Sequence, residues 1–591
     1  MQLSYKLQKG AGFILAIFPA FFLGLLILKY SVNIPYWDQW RIAPLFEKVE
    51  HGSLTFSDLI AQHNESRKFF SRLIFIGLAF LTHWDVRYEM LVIFLFACLL
   101  SLNVYYLSKL TVGGSTLKRL LLATISNLLI FSPIQYENWL WGIQIVVFIP
   151  IVCITTCILV SYSRLAARAK FLISMCLSTV STFSYANGLL CWLVLFPILV
   201  LKSRNELNKN RWLIFAWIAG FISNAVLYFY NYQKPGHHPS FWEAIKYPLR
   251  SIHYLLSFFG APLGFGIGTN PLNISTIITT STVIGLAIVL IFLASCLYIL
   301  RFSKDFNLLN RVAGWLTIAL YTLASAIITT LGRVGFGVEQ SLSSRYTTFS
   351  VYLTVCLIYI VAIIIDDIKK KDLVAKNIKS ITKFSCFLTA IIVVFHVSAS
   401  TFAVNCMHDH RIDLLQRKSC LAFINIVQED CLKKVFPYVD YLKYVANDIN
   451  RLGFLNPGLV KSSRIQDIEV DKNMKSLNYG VFDVLKKASK DEYVASGWAV
   501  LPARREPADS VILTYANAEG NSTVFALANV RTTARYDVAK TLKQESYFSS
   551  GWQKKIPVSK LPKDAIKLDA WAFDSNTGKA FHLNGTHVIL R

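Results

Sequence analysis

Between residues 11 and 402 the chain is a succession of apolar runs separated by short basic loops. Each run is about as long as a helix must be to cross roughly 30 Å of hydrocarbon. The runs fall at about 11–28, 88–108, 117–133, 141–161, 171–186, 188–201, 212–230, 272–300, 313–331, 349–365 and 384–402, which predicts eleven transmembrane helices. Those at 171–186 and 188–201 are short enough to form a re-entrant pair. The first run is too long for a signal-peptide core and has no small-residue cleavage site after it, so it reads as the first span. The remainder of the 591 residues is of ordinary composition, which predicts a soluble region after a membrane domain.

Charge fixes the orientation. Only 16% of the residues are charged, against about 25% in a soluble domain. The balance is nonetheless +25, from 60 Lys and Arg against 35 Asp and Glu. The cations cluster between spans: Lys109, Lys118 and Arg119; Arg164, Arg168 and Lys170; Lys202, Arg204, Lys209 and Arg211; Arg301, Lys304 and Arg311; Lys369, Lys370, Lys371, Lys376 and Lys379. This is the positive-inside pattern, so the charge speaks for membrane topology and not for a nucleic-acid partner. It places the N-terminus in the cytoplasm, and an odd number of spans places the C-terminal region outside it. Compact loops favour a bacterial inner membrane, with that region periplasmic or extracellular.

The C-terminal part divides into a mixed helical stretch, 403–476, and a strand-rich stretch, 477–591. Short β-branched runs such as VILTYA, STVFALANV and KLDAWAF predict a small β-sandwich. Trp498, Trp552 and Trp571 sit near strand ends and are either a sugar-stacking face or sandwich core. Eight of eleven cysteines lie in spans; of the other three, Cys420 and Cys431 are the preferred disulfide, leaving Cys406.

Polar residues that suit chemistry gather in the predicted outer segments. The first, about 30–87, opens with IPYWDQW, where Asp38 lies between Trp37 and Trp40. Indoles prefer the headgroup level, and a partly desolvated carboxylate there is more basic and suits a general base. The same segment holds AQHNESRKFFSR, in which helical spacing would put His63 and Arg67 on one face able to hold an anion, with Glu65 and Arg72 nearby. Asp85, Arg87 and Glu89 precede the second span, and the apolar stretch 73–81 is too short to cross and is expected in the interface. At the outer end of the third and fourth spans, SPIQYENWLWGIQ concentrates Tyr136, Glu137 and Gln144, and an ionisable group so near hydrocarbon is a functional candidate by default. The segment 231–271 carries His237 and His238, more often incidental than metal ligands. The last, GRVGFGVEQSLSSRY, supplies Arg333, Arg345 and Tyr346 among three glycines, a composition that suits a phosphate.

A first-loop acid in IPYWDQW, a late basic outer loop and an appended outer domain together resemble integral-membrane glycosyltransferases of the GT-C type, over about residues 1–402. The resemblance implies a polytopic α-helical fold and an inverting transfer from a polyprenyl-phosphate-linked sugar donor to a glycan or lipid-linked acceptor. Asp38 would be the base, helped by Glu137 or Glu65. Arg333, Arg345 and Tyr346 would meet the leaving phosphate, and His63, Arg67, Tyr136 and Gln144 would complete substrate binding. Gln39 follows Asp38 where commoner members carry a second acid, so no metal or other cofactor is expected. Membrane lipids are the other expected partner. The rival readings are a flippase of a lipid-linked glycan, an O-antigen-type polymerase or ligase, and a sugar-binding assembly factor acting through the β-region.

Overall fold

The computed structural model describes every residue except 1, 237, 268–272, 372–377, 428, 471–476, 517–521, 564 and 590–591. Its helices begin with α1 (Gln2–Tyr30), α2 (Pro44–Glu50), α3 (Phe56–Ile60), α4 (Phe69–Thr82), α5 (Arg87–Thr111), α6 (Thr116–Ile130) and α7 (Tyr136–Leu140). They continue with α8 (Ile145–Tyr162), α9 (Ala167–Thr182), α10 (Leu190–Leu207), α11 (Trp212–Phe229), α12 (Trp242–Lys246), α13 (Pro248–Gly264) and α14 (Ile274–Arg301). The rest are α15 (Phe306–Arg333), α16 (Ser344–Lys370), α17 (Ile378–Ala422), α18 (Glu429–Val435), α19 (Val439–Arg451) and α20 (Tyr536–Thr541). The chain forms two compact units. The first comprises Met1–Ser31, Thr55–Phe75 and Tyr88–Met407, and the second Val32–Leu54, Ile76–Arg87 and His408–Arg591. A polytopic helical bundle, as the resemblance implies, followed by the β-sandwich expected from the strand-rich stretch, is what the chain has.

Among the described residues ten helices are long and apolar enough to cross a membrane, against the eleven expected. The one missing is α9, whose 16 residues reach only about 24 Å. It nevertheless lies antiparallel along α10. At one end Ala167 N donates to Glu206 Oε2 (2.8 Å), and at the other Trp192 Nε1 donates to Thr182 Oγ1 (3.2 Å). The two are therefore a hairpin of matched length. In α8 and α16, 83% of the apolar window is buried within the bundle, against 22% in α11 and 28% in α14. A helix apolar all round belongs inside or against lipid, so the first pair are core and the second pair lipid-facing.

The connections α5–α6 and α14–α15 meet the end of α16 at one end of this unit. Asp366 there pairs with Lys118 (2.6 Å) and Arg311 (3.3 Å), and Lys371 pairs with Asp305 (2.9 Å) and Asp367 (2.8 Å). These cations all come from predicted inner loops, so the charge pattern and the packing agree on which loops share a face. Helices α13 and α14 pack with their backbones in contact, because Gly260 and Gly264 on one face Ser281 and Gly285 on the other. Small residues four apart allow such an approach in a membrane.

In the second unit the strands are all antiparallel. They are β3 (Gly480–Ser489), β4 (Glu492–Leu501), β5 (Glu506–Pro507), β6 (Ser510–Ala516), β7 (Ser522–Ala528), β8 (Val530–Thr533), β9 (Gly551–Pro557), β10 (Lys567–Asp574), β11 (Lys579–His582) and β12 (His587–Val588), numbered after the short pair β1 (Gln62–His63) and β2 (Ser66–Arg67) of the first unit. One sheet runs β11-β10-β6-β7 with β12 beside β10; the other runs β3-β4-β9-β8 with β5 beside β4. Phe482, Val511, Leu513, Trp552 and Leu568 fill the space between them. Trp498, Trp552 and Trp571 are all buried, so the stacking-face alternative is wrong and the core alternative right. The disulfide is Cys420–Cys431, the pair preferred from sequence.

Candidate functional site

Asp38 belongs to the second unit, in a 3₁₀ turn over Trp37–Arg41. Gln39 Oε1 accepts from Tyr36 N (3.0 Å) and closes this turn. Trp37 takes φ 47°, a conformation that costs a bulky residue about 1–3 kcal/mol and that persists where surroundings enforce it. Trp40 is not the headgroup-level anchor expected: it is fully buried, edge-on to Trp84 with ring centres 5.7 Å apart. The reason is local, since Phe46 also packs on Trp84 (4.9 Å) and makes an aromatic core under the turn. Asp85 and Arg87 form an exposed pair with each other (2.5 Å).

In the first unit, AQHNESRK is not helical. Residues 62–67 form a two-residue hairpin, β1–β2, in which His63 pairs with Ser66 and Gln62 with Arg67. Asn64 at φ 51° makes the turn, a conformation Asn tolerates better than most residues. His63 and Arg67 therefore do not share a helical face. Arg67 is instead spent on backbone: Nε donates to Tyr228 O (2.7 Å), Nη1 to Ile60 O (3.0 Å) and Nη2 to Tyr230 O. Arg72 Nη1 similarly serves Asp58 O (3.1 Å), Leu59 O (2.8 Å) and Ala61 O (2.6 Å). Burial lowers the Arg72 guanidinium to about 10. Both arginines fix the loop and neither is placed to clamp a ligand; His63 is buried in β1.

What the hairpin presents is Glu65. Its carboxylate Oε1 takes both Arg333 Nη2 and His238 Nδ1, the latter at 3.0 Å. Tyr228 Oη donates to Glu65 O (2.5 Å), and Gln62 exchanges two hydrogen bonds with the Gln233 backbone (2.6 and 3.0 Å). The carboxylate thus meets two partners, and the backbone around it is fixed by Tyr228 and Gln62. His238, judged incidental from sequence, is a partner of the central acid; His237 lies outside the described residues. Among the described residues no group of three or more His, Cys, Asp or Glu side chains is arranged to hold a metal.

Arg345 meets the second candidate acid, Glu137, with Nε 3.7 Å from Oε2. The loop carrying Glu137 is tied to the start of α16. Glu137 N donates to Ser344 Oγ (3.2 Å), Ser344 Oγ to Ile134 O (2.9 Å), and Asn138 Nδ2 to Arg345 O (3.0 Å) and Thr348 Oγ1 (2.6 Å). Thr348 Oγ1 then donates to Gln135 Oε1 (2.5 Å). Gln144 is buried in the 3₁₀ turn Gly142–Gln144 that leads into α8. Beside Arg345 opens a cavity of about 540 Å³, lined by Arg345, Ser343, Ser344, Gln340, Glu339 and Tyr136 at its polar side. Ile134, Phe265, Ile274, Ile277, Phe336, Leu342 and Phe402 make the rest apolar. Tyr346 accepts weakly from Gln340 Nε2 (3.5 Å).

Tyr185 links the two ion pairs. Its ring stacks on Phe349 (5.7 Å), and Glu65, Tyr346, Arg333 and Arg345 all act on its hydroxyl electrostatically. Residues 65, 137, 185, 333, 345 and 346 therefore form one electrostatic neighbourhood from four distant stretches of chain. Tyr185 and His238 were missed as members because each lacks a local motif.

No protein-family model matches this chain, and no curated protein matches it. Among solved structures it is similar to the crystal structure of ArnT from Cupriavidus metallidurans bound to undecaprenyl phosphate. The identity is 11%, the match covers 74% of this chain and 87% of that one, and the TM-score is 0.40. A likeness this remote assigns no chemistry.

Proposed function

We propose that the protein is a membrane glycosyltransferase that moves a sugar, with inversion, from a polyprenyl-phosphate carrier to an extracytoplasmic acceptor. The carrying observation is the cavity beside Arg345. It is apolar along Ile134, Phe265, Ile277, Phe336 and Phe402, and cationic and hydroxyl-lined at Arg345, Ser343 and Ser344. That is the complement of a prenyl chain ending in a phosphate. Guanidinium and hydroxyl donors are suited to a phosphate that gains charge as it leaves. In the reaction the sugar C1–O bond to phosphate breaks, C1 bonds to the acceptor oxygen, and the acceptor's proton passes to a carboxylate. Asp38 is the proposed base, with Glu65 and Glu137 as sugar-positioning acids. The disulfide Cys420–Cys431 supports an oxidising compartment for the C-terminal unit. Compact loops between the spans favour residence in a bacterial inner membrane.

The test is transfer of a labelled sugar from a polyprenyl-phosphate donor by the full-length protein in nanodiscs. Arg345→Ala should reduce transfer at least a hundredfold, and Asp38→Asn should abolish it while the protein still folds. Movement of label across a proteoliposome membrane without transfer would instead support a flippase. Full activity of Asp38→Asn would move the base to Glu65 or Glu137.

A further inference from the structure

The second unit has a concave feature of its own. Strand β7 ends one sheet and β8 ends the other, and the gap between these edges is floored by β9 and flanked by α18. A cleft of about 340 Å³ opens there, within the range of roughly 300–1,000 Å³ typical of small-ligand sites. None of its lining residues belongs to the Arg345 cavity. Its wall includes Cys431, so the disulfide anchors one side.

The lining chemistry is specific. Asn529, Thr532 and Gln553 offer amide and hydroxyl groups that both donate and accept. Phe525 supplies an apolar ring, which also packs at a tilt against Tyr515 with ring centres 5.9 Å apart. Lys434 from α18 and Lys554 from β9 face the same space, and among the described residues neither is ion-paired. The lining acid, Asp430, has Lys433 at 3.6 Å. Burial, then Lys560 and Lys434, lowers the Lys554 ammonium, as expected of a partly buried cation with other cations nearby. Two cations converging on a half-enclosed polar cleft suit an anion. A ring platform and amides between them suit sugar hydroxyls.

We propose that this cleft binds an anionic saccharide, its acid group between Lys434 and Lys554, its hydroxyls on Asn529, Thr532 and Gln553, and one ring face on Phe525. The site is separate from the proposed transfer chemistry and stands whether or not that chemistry is right. It gives the exported unit a means of holding an acidic envelope glycan.

Isothermal titration of the full-length protein in detergent tests this, with digalacturonate, glucose 1-phosphate and neutral cellobiose as probes. Digalacturonate or glucose 1-phosphate should bind, and the stronger of the two identifies carboxylate or phosphate as the acid group. Cellobiose should bind at least tenfold more weakly, and the anion's affinity should fall as salt rises. Lys434→Gln with Lys554→Gln should cost at least tenfold in anion affinity with an unchanged melting temperature. Should that variant misfold, the wild-type preference for anion over cellobiose decides alone. Equal binding of all three probes, no binding of either anion at millimolar concentration, or full affinity in a folded double variant would overturn the assignment.

Discussion

Replacing Gly260 by alanine adds one methyl group, and the packing of α13 on α14 leaves no place for it. A Cβ at Gly260 would fall 2.7 Å from Gly285 N, and nearer still to the Ser281 carbonyl oxygen. Ordinary contact begins at about 3.4 Å, and both obstacles are backbone, so no side chain can rotate away. The helices must part by well over half an ångström along a seam where Gly264 meets Ser281 and Gly285 meets Leu256. Overpacking of this kind costs about 1–3 kcal/mol, and the upper end applies where backbone blocks relaxation. Gly77, inside α4, is the control, because a Cβ there meets nothing within 4 Å. Alanine at that position should be neutral or stabilising by about 0.5–1 kcal/mol through helix propensity. The assay is thermal unfolding in one detergent of wild type, Gly260→Ala and Gly77→Ala. The seam also borders the Arg345 cavity, since Phe265 follows α13 and Ile274 and Ile277 open α14. Gly260→Ala should therefore weaken polyprenyl-phosphate binding as well as lower the melting temperature. A melting temperature equal to that of wild type would refute the close-packing argument.

Other expectations follow from single contacts. Glu65→Gln removes the charge that competes for Arg333; it should tighten polyprenyl-phosphate binding several-fold in a filter assay while lowering turnover, and weaker binding would count against Arg333 as a phosphate ligand. Arg67→Met strands three backbone carbonyls, so it should cost about 3 kcal/mol or more and be read as lost folding in a thermal melt. Cys420→Ser opens a link closing 11 residues; chain entropy puts the loss near 3 kcal/mol, measurable as a lower unfolding temperature of the second unit that reductant reproduces in wild type. Glu506 is held below its ordinary value: burial alone would raise it, but Arg411 and Arg504 outweigh burial. Its contribution is therefore complete above the unfolded carboxylate pKa of about 4.3 and is lost as pH falls through the lowered value, so acid unfolding followed by tryptophan fluorescence should be less steep in Glu506→Gln.

The sequence exposed the parts of the fold that depend on periodicity and charge. Apolar runs and basic loops located the spans, and alternating strands located the sandwich. It counted the apolar run 171–186 among the spans, whereas α9 has only 16 residues and is held in place by its pairing with α10. It misread residues 62–67 because an (i, i+4) pair invites a helix, while the left-handed Asn64 turn is set by docking against Tyr228, Tyr230 and Gln233. The GxxxG spacing of Gly260 and Gly264 was visible and went unused. Glu65, Glu137, Arg333 and Arg345 were all candidates from sequence, but which acid meets which arginine was not legible, since the partners lie more than 200 residues apart. Tyr185 and His238 had no local signal at all. Their place depends wholly on how the chain returns to this corner of the bundle.

The candidate arginines fall into two kinds, and the difference bears on the proposed function more than their number does. Arg67 and Arg72 are nearly buried and bound to carbonyl oxygens. A phosphate could recruit them only by leaving those carbonyls unpaired, at about 1–3 kcal/mol for each. Arg333 and Arg345 instead face the carboxylates of Glu65 and Glu137, with side chains 24% and 41% exposed. The Arg345–Glu137 pair, the longer and more exposed of the two, is close to the surface kind worth about 0–1 kcal/mol, so an arriving phosphate can displace that carboxylate at little cost. The released acid stays nearby, where a sugar hydroxyl or a proton can use it. An arginine held by a weak, exposed carboxylate partner is thus a replaceable contact, and one held by backbone is part of the frame. By that criterion Arg333 and Arg345 are the candidates for a phosphate and Arg67 and Arg72 are not, and substitution of either candidate should change substrate affinity with little effect on the melting temperature, opposite to the result expected at Arg67.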